Sequence, residues 1–100
     1  MDVLHIVNKS PSQSNVLDSC IHRTEPGSAI LLIEDAIYAL FKYNELNTKH
    51  KNLAKIKVYA LADDVIARGA TEWSPDNIKL IDYAGFVKLT ELYQSSVSWY

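Results

Sequence analysis

One thiol, Cys20, is the sole cysteine in this chain of 100 residues. Sulfur chemistry would need that thiol to be accessible and its pKa lowered, by a helix N-terminus or by nearby cations. Its neighbours Val16, Leu17 and Ile21 set it on the apolar side of a helix, with His22 and Arg23 directed elsewhere around the wheel. Two readings stand side by side: a sulfur acceptor, or a core or interface cysteine of the kind most often buried.

The carboxylates Glu34 and Asp35 end the apolar run Ala29-Ile30-Leu31-Leu32-Ile33. They could hold a divalent ion at a sheet edge, but an N-cap beside a helix macrodipole calls for the same residue types. His5 lies within a strand pattern, His22 on a helix and His50 in a polar tract, and their spacing makes no metal triad. That tract, residues 42–55, holds Lys42, Lys49, His50, Lys51 and Lys55 against the single acid Glu45. Lys49, Lys51 and Lys55 could meet tRNA phosphates or an acidic partner. A long solvated, mobile loop accounts for the same composition, so direct tRNA binding is not expected. No glycine-rich loop follows the first strand, which runs into Asn8-Lys9-Ser10-Pro11, so no cofactor phosphate is expected to find a cradle.

The elements that must position these residues alternate strand with helix. Val3-Leu4-His5-Ile6-Val7 predicts a first strand, and Ser14 or Asn15 can cap a helix reaching about Arg23. After Pro26-Gly27, the run 29–33 is apolar on both alternating faces, the pattern of a strand buried on both sides. Asp35 is the expected cap of a second helix burying Ile37, Leu40 and Phe41. A third strand follows at 56–61, then a short helix capped by Asp63 or Asp64 and stopped at Gly69. The fourth strand is 78–81, and Asp82 caps a last helix presenting Tyr83, Phe86, Val87 and Thr90 on one face. An extra short strand is expected near 71–73, while 95–98 reads as a lead into Trp99-Tyr100. The expected architecture is a small three-layer α/β domain over residues 1–100, with a mostly parallel sheet of about four strands joined by right-handed crossovers.

Composition narrows the classes. At 48% hydrophobic and 22% charged residues, the chain reads as one globular domain, and a net charge of −2 gives no general pull towards nucleic acid or anionic membrane. A lone cysteine excludes a disulfide framework and a thiolate zinc cluster within one chain. No apolar run approaches the roughly 18 residues of a spanning helix. The opening residues lack a signal-peptide pattern, so a soluble cytoplasmic protein is expected. Aromatics are numerous for so small a domain, including Tyr38, Tyr43, Tyr59, Tyr83, Tyr93, Trp99 and Tyr100, which favours assembly over catalysis.

Four segments in order carry a resemblance: Leu4-His5-Ile6-Val7-Asn8-Lys9-Ser10-Pro11; Leu31-Leu32-Ile33-Glu34-Asp35-Ala36-Ile37-Tyr38; Val58-Tyr59-Ala60-Leu61 through Asp64 to Ala67-Arg68-Gly69; and Leu80-Ile81-Asp82-Tyr83-Ala84-Gly85-Phe86-Val87 with the late Trp99. Together they resemble the TusB/DsrH family, the small subunit of DsrE/DsrF/DsrH-like sulfur-relay proteins. The resemblance implies a cytoplasmic subunit joined to TusC-like and TusD-like partners in a heterohexamer with two copies of each. In the tRNA branch such a complex takes persulfide sulfur from a TusA-like carrier and passes it on through a TusE-like protein, towards 2-thiouridine at the tRNA wobble position. In the other branch a DsrEFH-type complex serves dissimilatory sulfur oxidation. The sulfur-carrying cysteine of the assembly is implied to lie on the TusD/DsrE-like subunit, leaving this chain a mainly structural role. The rival is a sulfurtransferase carrying a persulfide on Cys20. Ala36 stands where many relatives have glycine. Without partners, a homo-oligomer would cover the exposed aromatics.

Overall fold

All four residues of Ala29–Leu32 are buried in the computed structural model, which describes residues 2–99. This run forms β2, the middle strand of a sheet with order β4-β3-β2-β1-β5, in which β1 is Val3–Val7, β3 Lys57–Leu61, β4 Ile78–Ile81 and β5 Ser95–Trp99. Every neighbouring pair is parallel, with Leu31 opposite both Ile6 and Tyr59. The sheet thus has five strands rather than four. The strand at Ser95–Trp99 went unread because it is an edge strand, four of its five residues are exposed, and no apolar alternation marks it.

Four α-helices join the strands: α1 Val16–Arg23, α2 Tyr43–Lys49, α3 Ala62–Ala67 and α4 Tyr83–Leu92. The path from β1 to β4 moves one way across the sheet, whereas β5 lies back beyond β1. A single crossover hand therefore sends the connections to opposite faces. On the first face, side chains of α1, α2, α3 and the segments between them join Val7, Ile30, Leu32, Val58 and Ala60 in one core. On the second, α4 alone places Leu89, with Phe86 beside it, over Leu4, Ala29 and Leu31.

Several local expectations are corrected. The polar tract is not a long loop: it holds α2 and a 3-10 turn at Lys51–Lys55, because Tyr43, Leu46 and Leu53 recur at intervals that bury them. Two side-chain ties fix the tract to α1: Asn52 Nδ2 donates to the Ile21 carbonyl at 3.0 Å, and the Asp18 carboxylate meets His50 at 2.8 Å and Lys49 at 3.2 Å. The segment after β2 is a 3-10 helix, Glu34–Lys42, that starts one residue before Asp35 with no side-chain cap. It still buries Ile37 and Leu40, with Phe41 half-buried. Asp63 and Asp64 lie in the first turn of α3 without capping it. Residues Thr71–Trp73 form a 3-10 turn, not a strand. On α4 the side chains facing the core are Phe86 and Leu89, whereas Tyr83, Val87 and Thr90 are exposed.

Other local expectations match. Asp82 caps α4, its Oδ1 accepting from the Gly85 N–H at 2.8 Å. Gly69 takes the left-handed conformation, φ 66°, that ends α3. On α1, Leu17, Cys20 and Ile21 are buried and Val16 is half-buried. Tyr100, counted among the aromatics, lies outside the described residues.

Candidate functional site

Cys20 faces the core from α1 with none of its surface exposed. Its Sγ lies 3.8 Å from the Thr24 hydroxyl, which itself donates to the Cys20 carbonyl at 2.6 Å. Burial pushes the thiol pKa up to about 11, against a smaller lowering from Thr24. At neutral pH a thiol shifted that far is ionised to roughly one part in ten thousand, and the thiolate is the nucleophile. The neighbouring cations supply no help, since His22 and Arg23 are exposed to solvent while the thiol is buried.

The carboxyl edge of the sheet gathers most of the polar organisation. Asp35 turns towards α3, where its Oδ1 accepts from Arg68 Nε at 3.2 Å and from Nη2 at 3.0 Å. Asp64, one helical turn before Arg68, lies 3.8 Å from the same guanidinium. Its other oxygen accepts the Glu34 backbone N–H at 2.7 Å. Glu34 has φ 50°, a left-handed backbone that non-glycine residues rarely adopt. A carboxylate 30 residues away in sequence therefore holds the bend between β2 and the 3-10 helix. The acidic pair thus serves as a tie to α3 at one residue and as a turn at the other. Among the described residues no three His, Cys, Asp or Glu side chains converge as metal ligands would.

Beside this tie, a cleft of about 430 Å³ opens between the segment after β1 and the 3-10 helix after β2. Ser10, Ser12 and Gln13 line one wall, and Asp35, Tyr38, Phe41 and Lys42 the other. The Ser10 and Ser12 hydroxyls are 2.9 Å apart and bond each other. Beyond Phe41 and Lys42 a second cleft of about 390 Å³ reaches Trp73 and Pro75. Tyr38, Phe41 and Trp73 form a row with ring centroids 6.2 and 5.3 Å apart, and the Arg68 guanidinium sits 5.9 Å from the Tyr38 ring. Neither cleft is lined by a cysteine or histidine, so Cys20 and the clefts are separate. Aromatic rings with an arginine suit recognition better than bond-making.

His5 is the buried histidine of the first face. Its Nδ1 accepts the Trp99 indole N–H at 3.0 Å, and burial holds its pKa below the ordinary value. That bond ties β1 to the edge strand β5 and leaves the ring no role as a ligand through Nδ1. Of the basic tract, Lys49 is paired with Asp18, while Lys51 and Lys55 are exposed. Arg68 and the row from Tyr38 to Trp73 were not singled out from the sequence. The Asp64–Arg68 spacing of four residues was the available signal for the first, and nothing local marks the second.

Comparison with known proteins converges on one family. The family described as DsrH like protein matches residues 9–96. Protein TusB of Escherichia coli K12 is 36% identical over 97 residues, which cover 97% of this chain and 100% of that protein. Protein Tm0979 from Thermotoga maritima, solved in solution, superposes with a TM-score of 0.66 at 29% identity over 89% of this chain and 91% of its own. The ychN protein from E. coli superposes with a TM-score of 0.72 over 98% of both chains, but at 13% identity that likeness concerns the fold alone. The match to the family profile and the end-to-end identity with a curated relative agree with the parallel α/β architecture, and this chain belongs to the TusB/DsrH family.

Proposed function

We propose that this chain is the TusB/DsrH-type subunit of a cytoplasmic sulfur relay, mainly a structural and docking component, and that it carries no sulfur itself. In this reading it joins TusC-like and TusD-like subunits in a heterohexamer with two copies of each. TusA-like and TusE-like carriers act before and after it, towards 2-thiolation of the wobble uridine in tRNA. The family match over nearly the whole chain supports the relay. The observation that carries the docking role is the sealed thiol: Cys20 is fully buried and its pKa is raised, the opposite of what a persulfide acceptor requires.

Native mass spectrometry of the chain co-expressed with its two candidate partners tests the assembly, a 2:2:2 complex being expected. Failure to associate with either partner overturns it. Iodoacetamide labelling of the native protein, alone and in complex, tests the thiol. Cys20 is expected to react only as fast as the chain unfolds. Rapid labelling, together with loss of 2-thiouridine in a Cys20→Ala strain, would restore the persulfide reading. Intact 2-thiouridine in a strain lacking this chain would point to the sulfur-oxidation branch instead.

A further inference from the structure

The cleft beside the Asp35–Arg68 tie has a composition that neither the fold nor the subunit role uses. Its volume of about 430 Å³ falls in the range of small-ligand sites, roughly 300–1,000 Å³. Ligands of parallel α/β sheets gather at this edge, outside the carboxyl ends of the strands. Its two walls are the segment after β1 and the 3-10 helix after β2.

The lining side chains define what fits. Tyr38 and Phe41 share one wall, and their rings lie within 25° of parallel, an apolar surface of the kind on which a heteroaromatic base stacks. Asp35 stands on the same wall at the end of β2, its carboxylate already oriented. Arg68 holds Oδ1 through both Nε and Nη2, while Oδ2 accepts no hydrogen bond among the described residues. In dinucleotide-binding folds, an acid that follows the first βα turn of the parallel sheet takes the ribose 2′-hydroxyl. On the opposite wall Ser12 and Gln13 are exposed and offer donors and acceptors to the edge of a base. Among the described residues, the ionic side chains lining the cleft are Asp35 and Lys42, which cancel, so a neutral ligand fits better than a polyphosphate. The run Asn8-Lys9-Ser10-Pro11 after β1 also lacks the glycines that bring backbone amides against a phosphate.

We infer that this cleft binds a ribonucleoside, with its base on Tyr38 and Phe41 and its ribose 2′-hydroxyl on Oδ2 of Asp35. Stacking supplies most of the affinity, and the carboxylate distinguishes ribose from deoxyribose. The site makes no use of Cys20 and does not depend on the subunit reading above. A free nucleoside and one residue of single-stranded RNA present the same chemistry, and the test separates the two.

The full chain is titrated with adenosine, uridine, their 2′-deoxy forms and ribose, and backbone amide shifts are followed by NMR. A ribonucleoside is expected to shift Gln13, Asp35, Tyr38 and Phe41, and its 2′-deoxy form to bind about fivefold more weakly. Tyr38→Ala is expected to weaken binding about tenfold and Tyr38→Phe to restore it. Tyr83→Ala, at an exposed aromatic on α4, is expected to change nothing. Asp35→Asn should abolish the preference for ribose over deoxyribose, an effect that loss of the tie to α3 alone would not produce. Tyr38 and Asp35 are both exposed, so circular dichroism of these variants should match wild type. A short oligouridine separates the sources: binding tighter than uridine assigns the ligand to RNA, and equal binding assigns it to the free nucleoside. No shift at the cleft with any nucleoside up to about 10 mM overturns the site. Equal binding of the 2′-deoxy forms, binding indifferent to Tyr38→Ala, or ribose alone binding as well as the nucleosides would overturn it too.

Discussion

The two faces of the sheet are built on different terms. The first is covered by three helices and two 3-10 segments, and its core includes side chains from every connection but one. The second is crossed by α4 alone, with five buried residues and a half-buried fringe of Ile6, Ile33, Tyr59, Ile81 and Phe86. Both faces of β2 are equally apolar, so the difference lies in the connections. Three crossovers moving one way across the sheet share a face, and the single return to β5 has the other to itself. The first face is finished within the chain. The second is covered more thinly, and the contrast predicts which face loses more stability when a core side chain is cut back.

The strongest test falls on the finished face. Ile37→Ala, at a fully buried position, should cost about 3 kcal/mol and move the urea midpoint of the isolated chain accordingly. Leu89→Ala under α4 should cost less, about 2 kcal/mol, because a singly covered layer can relax into the space. Equal or reversed losses in the two denaturation curves would erase the contrast. Asp82→Ala removes the α4 cap and should cost about 1 kcal/mol. In hydrogen exchange that loss should be confined to α4 and leave α1 protected.

Acidification should act through the finished face. Burial lowers the folded-state pKa of His5, so its contribution is complete above the unfolded value of about 6.5 and is lost as pH falls through the folded one. Protonation of Nδ1 also removes the acceptor for the Trp99 indole. His5→Asn should flatten the fall in stability below about pH 6.5, and an unchanged slope would break the assignment. Asp18 acts in the same direction but at lower pH, because the His50 hydrogen bond, chiefly, and Lys49 hold its carboxyl below the ordinary range. The smallest effect belongs to the outer side of α4: Leu92→Ser in the isolated chain should stay within about 0.5 kcal/mol of wild type.

Where the pattern was local, the sequence was readable. The run ending at Leu32 announces a doubly buried strand, and Asp82 and Gly69 mark a helix start and a helix stop by their own chemistry. Strand β5 was hidden because its stability comes from β1 and from the Trp99–His5 bond, neither of which leaves a mark in Ser95-Ser96-Val97-Ser98. The polar tract looked like a loop because lysines outnumber the three residues that bury it. At the site, the acids were visible but their partner was not. Asp35 was read as a local cap, yet it bonds an arginine 33 residues away, and such a pairing exists only once β2 and β3 lie side by side. The coverage of α4 was misjudged because an apolar stripe does not say whether it faces the chain's own core or something else.

Strand order also has a consequence in time. Val3 pairs with Ser95, so the first strand to leave the ribosome waits some ninety residues for its outer neighbour. During synthesis, β1 can pair with β2 and the first face can close while the other flank of β1 stays open. A contact this distant in sequence is slow to form and makes the sheet's completion a late event in folding. Helix α4 is laid down on the same late segment, so the second face gains its cover only when the sheet is complete. A nascent chain would then keep Leu4, Ala29 and Leu31 without that cover until synthesis is nearly finished.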